Sequence, residues 1–153
     1  MKPLEMAVMV KTNKISPYRA GGKKMLEKYK YVISKEISRE KLENIIVDGY
    51  ESGIGYWATL CNDTPMFKKY YDTTNFATSK IICKLILDDN ISIHFRDREN
   101  DEDTKYCLSL NRLLEGIKLN EINRSFDCDL NDYDACTCDC IFQYALYGEV
   151  VFG

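Results

Sequence analysis

A chain of 153 residues with 45% hydrophobic and 29% charged content is long enough to bury one core and has the balance of a soluble globular domain. Its apolar runs, residues 81–87 among the longest, fall far short of a membrane span, and the first residues lack the basic-then-apolar pattern of a secretory leader. A cytoplasmic location without membrane contact is therefore expected, and in a reducing compartment the seven cysteines are small buried hydrophobes, not a disulfide framework.

The net charge of −3 conceals an uneven distribution. Residues 1–36 hold nine Lys/Arg and three Glu, a balance of +6, whereas the rest hold twelve Lys/Arg and twenty-one Asp/Glu, a balance of −9. The division expected is a basic N-terminal extension, 1–36, and a single domain, 37–153. The extension is either a solvated lysine-rich arm or a contact for nucleic acid.

Within the extension, residues 6–10 read as a short strand, and a weakly supported helix begins near Gly22. The first strong helix starts after Ser38, a good N-cap, with Ile37 placed to staple onto Leu42. Leu42, Ile45, Ile46 and Tyr50 recur at helical spacing, and Gly53 and Gly55 end or distort the helix. Residues 58–80 read as polar and turn-rich. Residues 81–87 and 91–96 read as two strands of a hairpin around Asp88-Asp89-Asn90, with a third strand over 106–108. Ser109 caps a second helix bearing Leu110, Leu113, Leu114 and Ile117 on one face. A third helix spans about 135–147, ended by Gly148, and a final short strand follows over 150–152. The class expected is α+β: a small antiparallel sheet within about 81–108, with three principal helices packed on one face.

Few patterns carry chemistry. Cys136, Cys138 and Cys140, with Cys128 upstream, tempt a zinc assignment, but on a helix Cys138 points roughly opposite to the other two, and the spacing is not that of paired knuckles. No metal, cofactor or catalytic residue is assigned. His94, the sole histidine, alternates with Ile93 and Phe95 and is expected to face away from the apolar side. The stretch GYESGIGYW from Gly49 admits two readings. One is a helix end folded against the core with Trp57 as anchor; the other is an aromatic pocket of Tyr56 and Trp57 with Glu51 as its polar group, suited to a nucleotide base or a partner's side chain. Two acidic loops complete the candidates: residues 97–103 with Asp97, Asp101, Glu102 and Asp103, and residues 127–134 with Asp129 and Asp132.

Two of these stretches together resemble small proteins encoded by bacteriophages. Residues 51–57 are similar to an EGGxxYW signature, with Ser52 where the second position is usually Gly. The ending DACTCDCIFQYALYGEVVFG from Asp134 is similar to a DAxTxDxxxQxALFGxxVxG pattern, with Tyr147 where Phe is common. The resemblance covers about 37–153. In it the cysteines of the cluster fall on variable positions, whereas Asp139 and Gln143 match fixed polar positions. Four residues apart on a helix, these two share a face, and either bind a partner or each other, or cap neighbouring backbone. The resemblance implies an anti-defence protein acting in the bacterial host's cytoplasm, an anti-CRISPR above all, whose partner is a host defence protein or ribonucleoprotein complex. A binder that sequesters a nucleotide signal, and an enzyme acting on a defence complex, are the alternatives.

Overall fold

The computed structural model describes residues 34–99, 103–127 and 132–153. The strand expected over 6–10, the helix expected near Gly22 and most of the basic extension lie outside the described residues, as do Asp101, Glu102, Cys128 and Asp129. Contacts divide the chain at Ser38/Arg39, and Arg39–Gly153 forms one compact unit.

That unit opens with α1 (Arg39–Asp48), whose Leu42, Ile45 and Ile46 are buried at helical spacing. The helix does not stop at its first glycine. It widens into a π-helical turn, Gly49–Gly53, and tightens into a 3-10 turn, Ile54–Tyr56. Gly49 permits this path because a Cβ there would collide with the ring of Phe142. Three strands follow at intervals: β1 (Ala58–Cys61), β2 (Ile93–Asp97) and β3 (Lys105–Leu108). They form an antiparallel sheet in the order β1-β2-β3, with Leu60 opposite Phe95 and Phe95 opposite Tyr106. Ala58, Ile93, Phe95, Asp97 and Leu108 are buried on its inner face, while Thr59, His94, Arg96 and Lys105 lie on an open outer face.

The inner face packs on α5 (Ala135–Tyr147), with Phe95 edge-on to Phe142 at 6.2 Å between ring centroids. Every residue of α5 from Thr137 to Leu146 is buried, so this helix is enclosed on all sides. Its second neighbour is α4 (Leu110–Asn123), begun by Ser109, whose hydroxyl accepts from Arg112 N at 3.2 Å. The start of α5 is capped in the same way by Asp134, and Gly148 ends it in the left-handed conformation at φ 82°. The class is thus α+β with a small antiparallel sheet, as the sequence suggests.

Three other expectations are overturned. Residues 81–87 form no strand: they belong to α3 (Thr78–Cys83) and a π-helical turn, Lys84–Asp88. A continuous apolar run is the pattern of a buried strand or a buried helix alike, and here Ile81, Ile82, Leu85 and Ile86 are all enclosed. Asp88-Asp89-Asn90 accordingly makes a helix end and no hairpin: Asn90 takes φ 53°, and Ile91 N donates to Leu85 O at 2.8 Å. The sheet's first strand comes instead from the region read as turns, where α2 (Pro65–Thr73) also lies, begun by Thr64 capping Phe67 N and by Pro65 at the first helical position. The third correction concerns residues 150–152, which are irregular, for a reason given below.

Gly116 marks the closest approach of α4 and α5. A Cβ there would stand 2.5 Å from Ile141 O and 2.9 Å from Ala145 Cβ. Gly→Ala in a helix ordinarily stabilises by up to about 1 kcal/mol; Gly116→Ala is expected to destabilise by about 1–3 kcal/mol through overpacking, read as a lower urea midpoint at unchanged m-value.

Candidate functional site

The turn after α1 and the two polar residues of α5 meet at one place. Asp139, 7% exposed, accepts from Trp57 Nε1 at 2.6 Å through Oδ1 and from Tyr56 OH at 2.8 Å through Oδ2. The π-helical and 3-10 turns make this possible by presenting two consecutive aromatics to one side chain. Gly53 lies against the same first turn of α5, where a Cβ would be 3.1 Å from Ala135 O.

One turn further along α5, Gln143 is fully buried and bonds the chain's last residues. Its Oε1 accepts from Val151 N at 2.8 Å and Phe152 N at 2.7 Å, and its Nε2 donates to Phe152 O at 3.0 Å. A side-chain amide therefore does for residues 151–152 what a neighbouring strand does for a strand, and no sheet forms there. The tail so held lays Phe152 on Trp57, with ring centroids 5.2 Å apart and planes 11° from parallel. Tyr147 covers the indole from another side at 5.6 Å and itself meets Tyr106 at 4.5 Å. Trp57 is 1% exposed as a result. Asp139 and Gln143 do not bond each other; each satisfies groups brought from elsewhere in the chain.

The remaining candidates are scattered. Glu51 turns to α3, where its Oε1 accepts from Ser79 Oγ at 2.5 Å. Asp97 is turned inward: Oδ2 accepts from Tyr147 OH at 3.1 Å and Oδ1 from Glu99 N at 2.7 Å. Asp103 and Asp132 are exposed. The first acidic loop leaves from Asp97 beside Tyr147, and the second leads through Asp134 into Ala135, so these two described residues stand at opposite ends of α5, a helix about 18 Å long at 1.5 Å per residue. Of the cysteine cluster, Cys136 is exposed, while Cys138 and Cys140 are buried, and the six described cysteines are thiols outside any disulfide. Sequence reading missed the stacking of Phe152 and Tyr147 on Trp57. The aromatic composition of the ending was visible, but its folding back through Gln143 was not.

Electrostatics follow the geometry. Withdrawal of the Tyr56 hydroxyl from water, reinforced by its bond to Asp139, pushes its pKa up to about 12, although 57% of the residue stays exposed. Burial and then Asp97 raise Tyr147 in the same direction. Asp134 is held low by the Thr137 backbone and hydroxyl donors it accepts from.

Two outcomes are expected. Gln143→Leu keeps the bulk but leaves three backbone groups of the tail unpaired; it should cost about 2–4 kcal/mol at roughly 1 kcal/mol per bond, and the single tryptophan should report the loss of Phe152 by red-shifted emission. For pH, the raised native pKa of Tyr56 stabilises the fold fully below the unfolded value near 10 and progressively less as pH rises toward about 12. Urea midpoints taken across that window, with tyrosinate absorbance alongside, should fall in the parent and fall less steeply in Tyr56→Phe.

No family model matches the chain, and no curated protein and no solved structure shows significant similarity to it.

Proposed function

We propose that the chain is an anti-defence protein of bacteriophage origin that binds a host effector stoichiometrically, as an anti-CRISPR does, and holds acidic loops against a channel built for nucleic acid. The observation that carries this reading is the inward direction of the shared pattern. Trp57, Asp139, Gln143 and Gly148, which match fixed positions of the phage resemblance, are engaged within the fold or end its last helix. The resemblance is then one of scaffold, and recognition falls to the surface around it. There Asp103 and Asp132 expose carboxylates, on loops joined through Asp97 and Asp134 to opposite ends of α5. The roughly 18 Å length of that helix corresponds to about five base steps of a duplex at 3.4 Å each.

The nucleotide-binding alternative has less support, because Phe152 already occupies the face of Trp57 that a base would need.

The effector is to be identified by affinity capture from a host carrying its defence systems, and its nucleic-acid binding titrated with the protein. Inhibition should saturate near one molecule per effector. Replacing Asp101, Glu102, Asp103, Asp129 and Asp132 together by Asn should weaken it about tenfold or more, with the largest loss at low salt. Unchanged inhibition by that variant sinks the acidic-loop mechanism. Inhibition far below one equivalent would instead indicate an enzyme, and a nucleotide released from the protein by heat would indicate a sequestering binder.

A further inference from the structure

The stretch that forms α2 and α3 carries a charge opposite to the rest of the domain. Residues 65–84 hold four Lys and one Asp, a balance of +3, whereas the remainder of 37–153 holds eight Lys/Arg and twenty Asp/Glu, a balance of −12. Lys68, Lys69 and Lys80 are exposed, and among the described residues none of the three has a carboxylate partner. On an acidic body, such a cluster of uncompensated ammonium groups draws anions to this one stretch.

The same stretch exposes aromatic rings that the fold does not bury. Tyr71 is 65% exposed, and its ring lies parallel to that of Phe67, which is buried, with centroids 6.4 Å apart. Phe67 thus props Tyr71 with its outer face open. Phe76 is 52% exposed in the turn between the helices. Thr74 holds that turn: its hydroxyl donates to Tyr70 O at 2.7 Å and accepts from Phe76 N at 3.3 Å. Tyr70 shows the contrast, since its hydroxyl is spent on Asp89 at 2.7 Å and its ring on Lys84, 5.4 Å from the centroid.

Beside Phe76 and Lys80 an open groove of about 430 Å³ runs between α1 and α3. Two carboxylates line it, and Arg39 holds both, Glu43 at 2.8 Å and Asp88 at 2.6 Å, with Lys84 a second partner of Asp88 at 3.6 Å. Neutralised in this way, they leave Lys80 as the uncompensated charge at an aromatic rim. A ring to stack on and a cation beside it are the two needs of one nucleotide, whose base is flat and whose phosphate is anionic. Tyr71 with Lys68, three residues apart on α2 and so neighbours on its surface, repeats the pair. Five residues separate Tyr71 from Phe76, at most about 17 Å of chain, a span of about five stacked nucleotides. An acidic protein surface would meet the lysines but has no use for two open rings, and a duplex keeps its bases stacked on each other.

We propose that the α2–α3 stretch binds single-stranded nucleic acid, with bases on Tyr71 and Phe76 and phosphates at Lys68, Lys69 and Lys80. This site is separate from the acidic loops and does not depend on their role.

The test is fluorescence anisotropy of a labelled oligouridylate or oligothymidylate of about 12 nucleotides, titrated with the full chain at several salt concentrations. Saturable binding is expected with either strand, and a duplex of equal length should compete about tenfold less well or worse. Tyr71→Ala and Phe76→Ala should each weaken binding about fivefold or more at unchanged salt slope, and Tyr71→Phe should keep the parent affinity. Lys68→Gln, Lys69→Gln and Lys80→Gln together should reduce the salt slope by about 2, at roughly 0.7 for each phosphate contact. All five positions are exposed, and circular dichroism checks that each variant folds. The proposal is overturned by absence of binding at low salt, or by a duplex or polyglutamate that competes equally. It is equally overturned by aromatic variants that bind as the parent does, which would assign the strand to charge alone or to the basic extension.

Discussion

A carboxyl group kept almost out of water must have its hydrogen bonds supplied by the protein, and the site of Asp139 is organised by that demand. Its two donors come from consecutive aromatics more than eighty residues earlier. To deliver both, the backbone after α1 cannot continue as a regular helix. It takes one wide turn and one tight one, and glycines at 49 and 53 allow it to pass against α5. The first turn of α5, the end of α1 and the entry to β1 are thereby fixed to one another. Gln143 extends the same logic by one helical turn, and the tail it binds closes the aromatic cluster over Trp57.

How much of this is legible in the sequence depends on the kind of signal. Helix ends marked by local chemistry can be read: Ser109, Asp134 and Gly148 stand where their side chains or backbone freedom require. Residues 81–87 give no clear period, because Lys84 alone interrupts an apolar run in which Ile81, Ile82, Cys83, Leu85 and Ile86 are all buried. Their companion signal, Asp88-Asp89-Asn90, serves a helix end as well as a hairpin. Thr64-Pro65 was readable as a helix start and lay within a stretch that its polar composition disguised. The end of the chain is a different case. The β-branched and aromatic run Val150-Val151-Phe152 suggests a strand, but the partner is a side chain, and no local pattern announces that.

The candidate site divides along the same line. Asp139 and Gln143 stand out in sequence because they occupy matched polar positions, yet spacing alone says nothing of whether they face a ligand or the backbone. The structure assigns them to the interior. Asp63, His94 and Lys105 lie far apart in the chain, and Asp63 reaches the other two at 3.5 Å and 2.7 Å only because strand register sets them beside the end of β1, which is invisible until β1 is placed. Once residues 58–61 are a strand, the row Cys61, His94 and Cys107 follows from pairing geometry alone.

The enclosure of α5 has a consequence for how the chain reaches this state. The helix that covers the sheet, α1 and α4 follows all three in the chain, and the bonds of its Asp139 reach back more than eighty positions. Contacts of that range form slowly, since a long loop must close before any of them is rewarded. Until then the inner sheet face and Trp57 lack this cover, while α1 still has α3 to pack on. A nascent chain that stalls before residue 135 therefore exposes Phe95 and Trp57 together, a sticky intermediate whose survival depends on chaperone capacity rather than on its own stability.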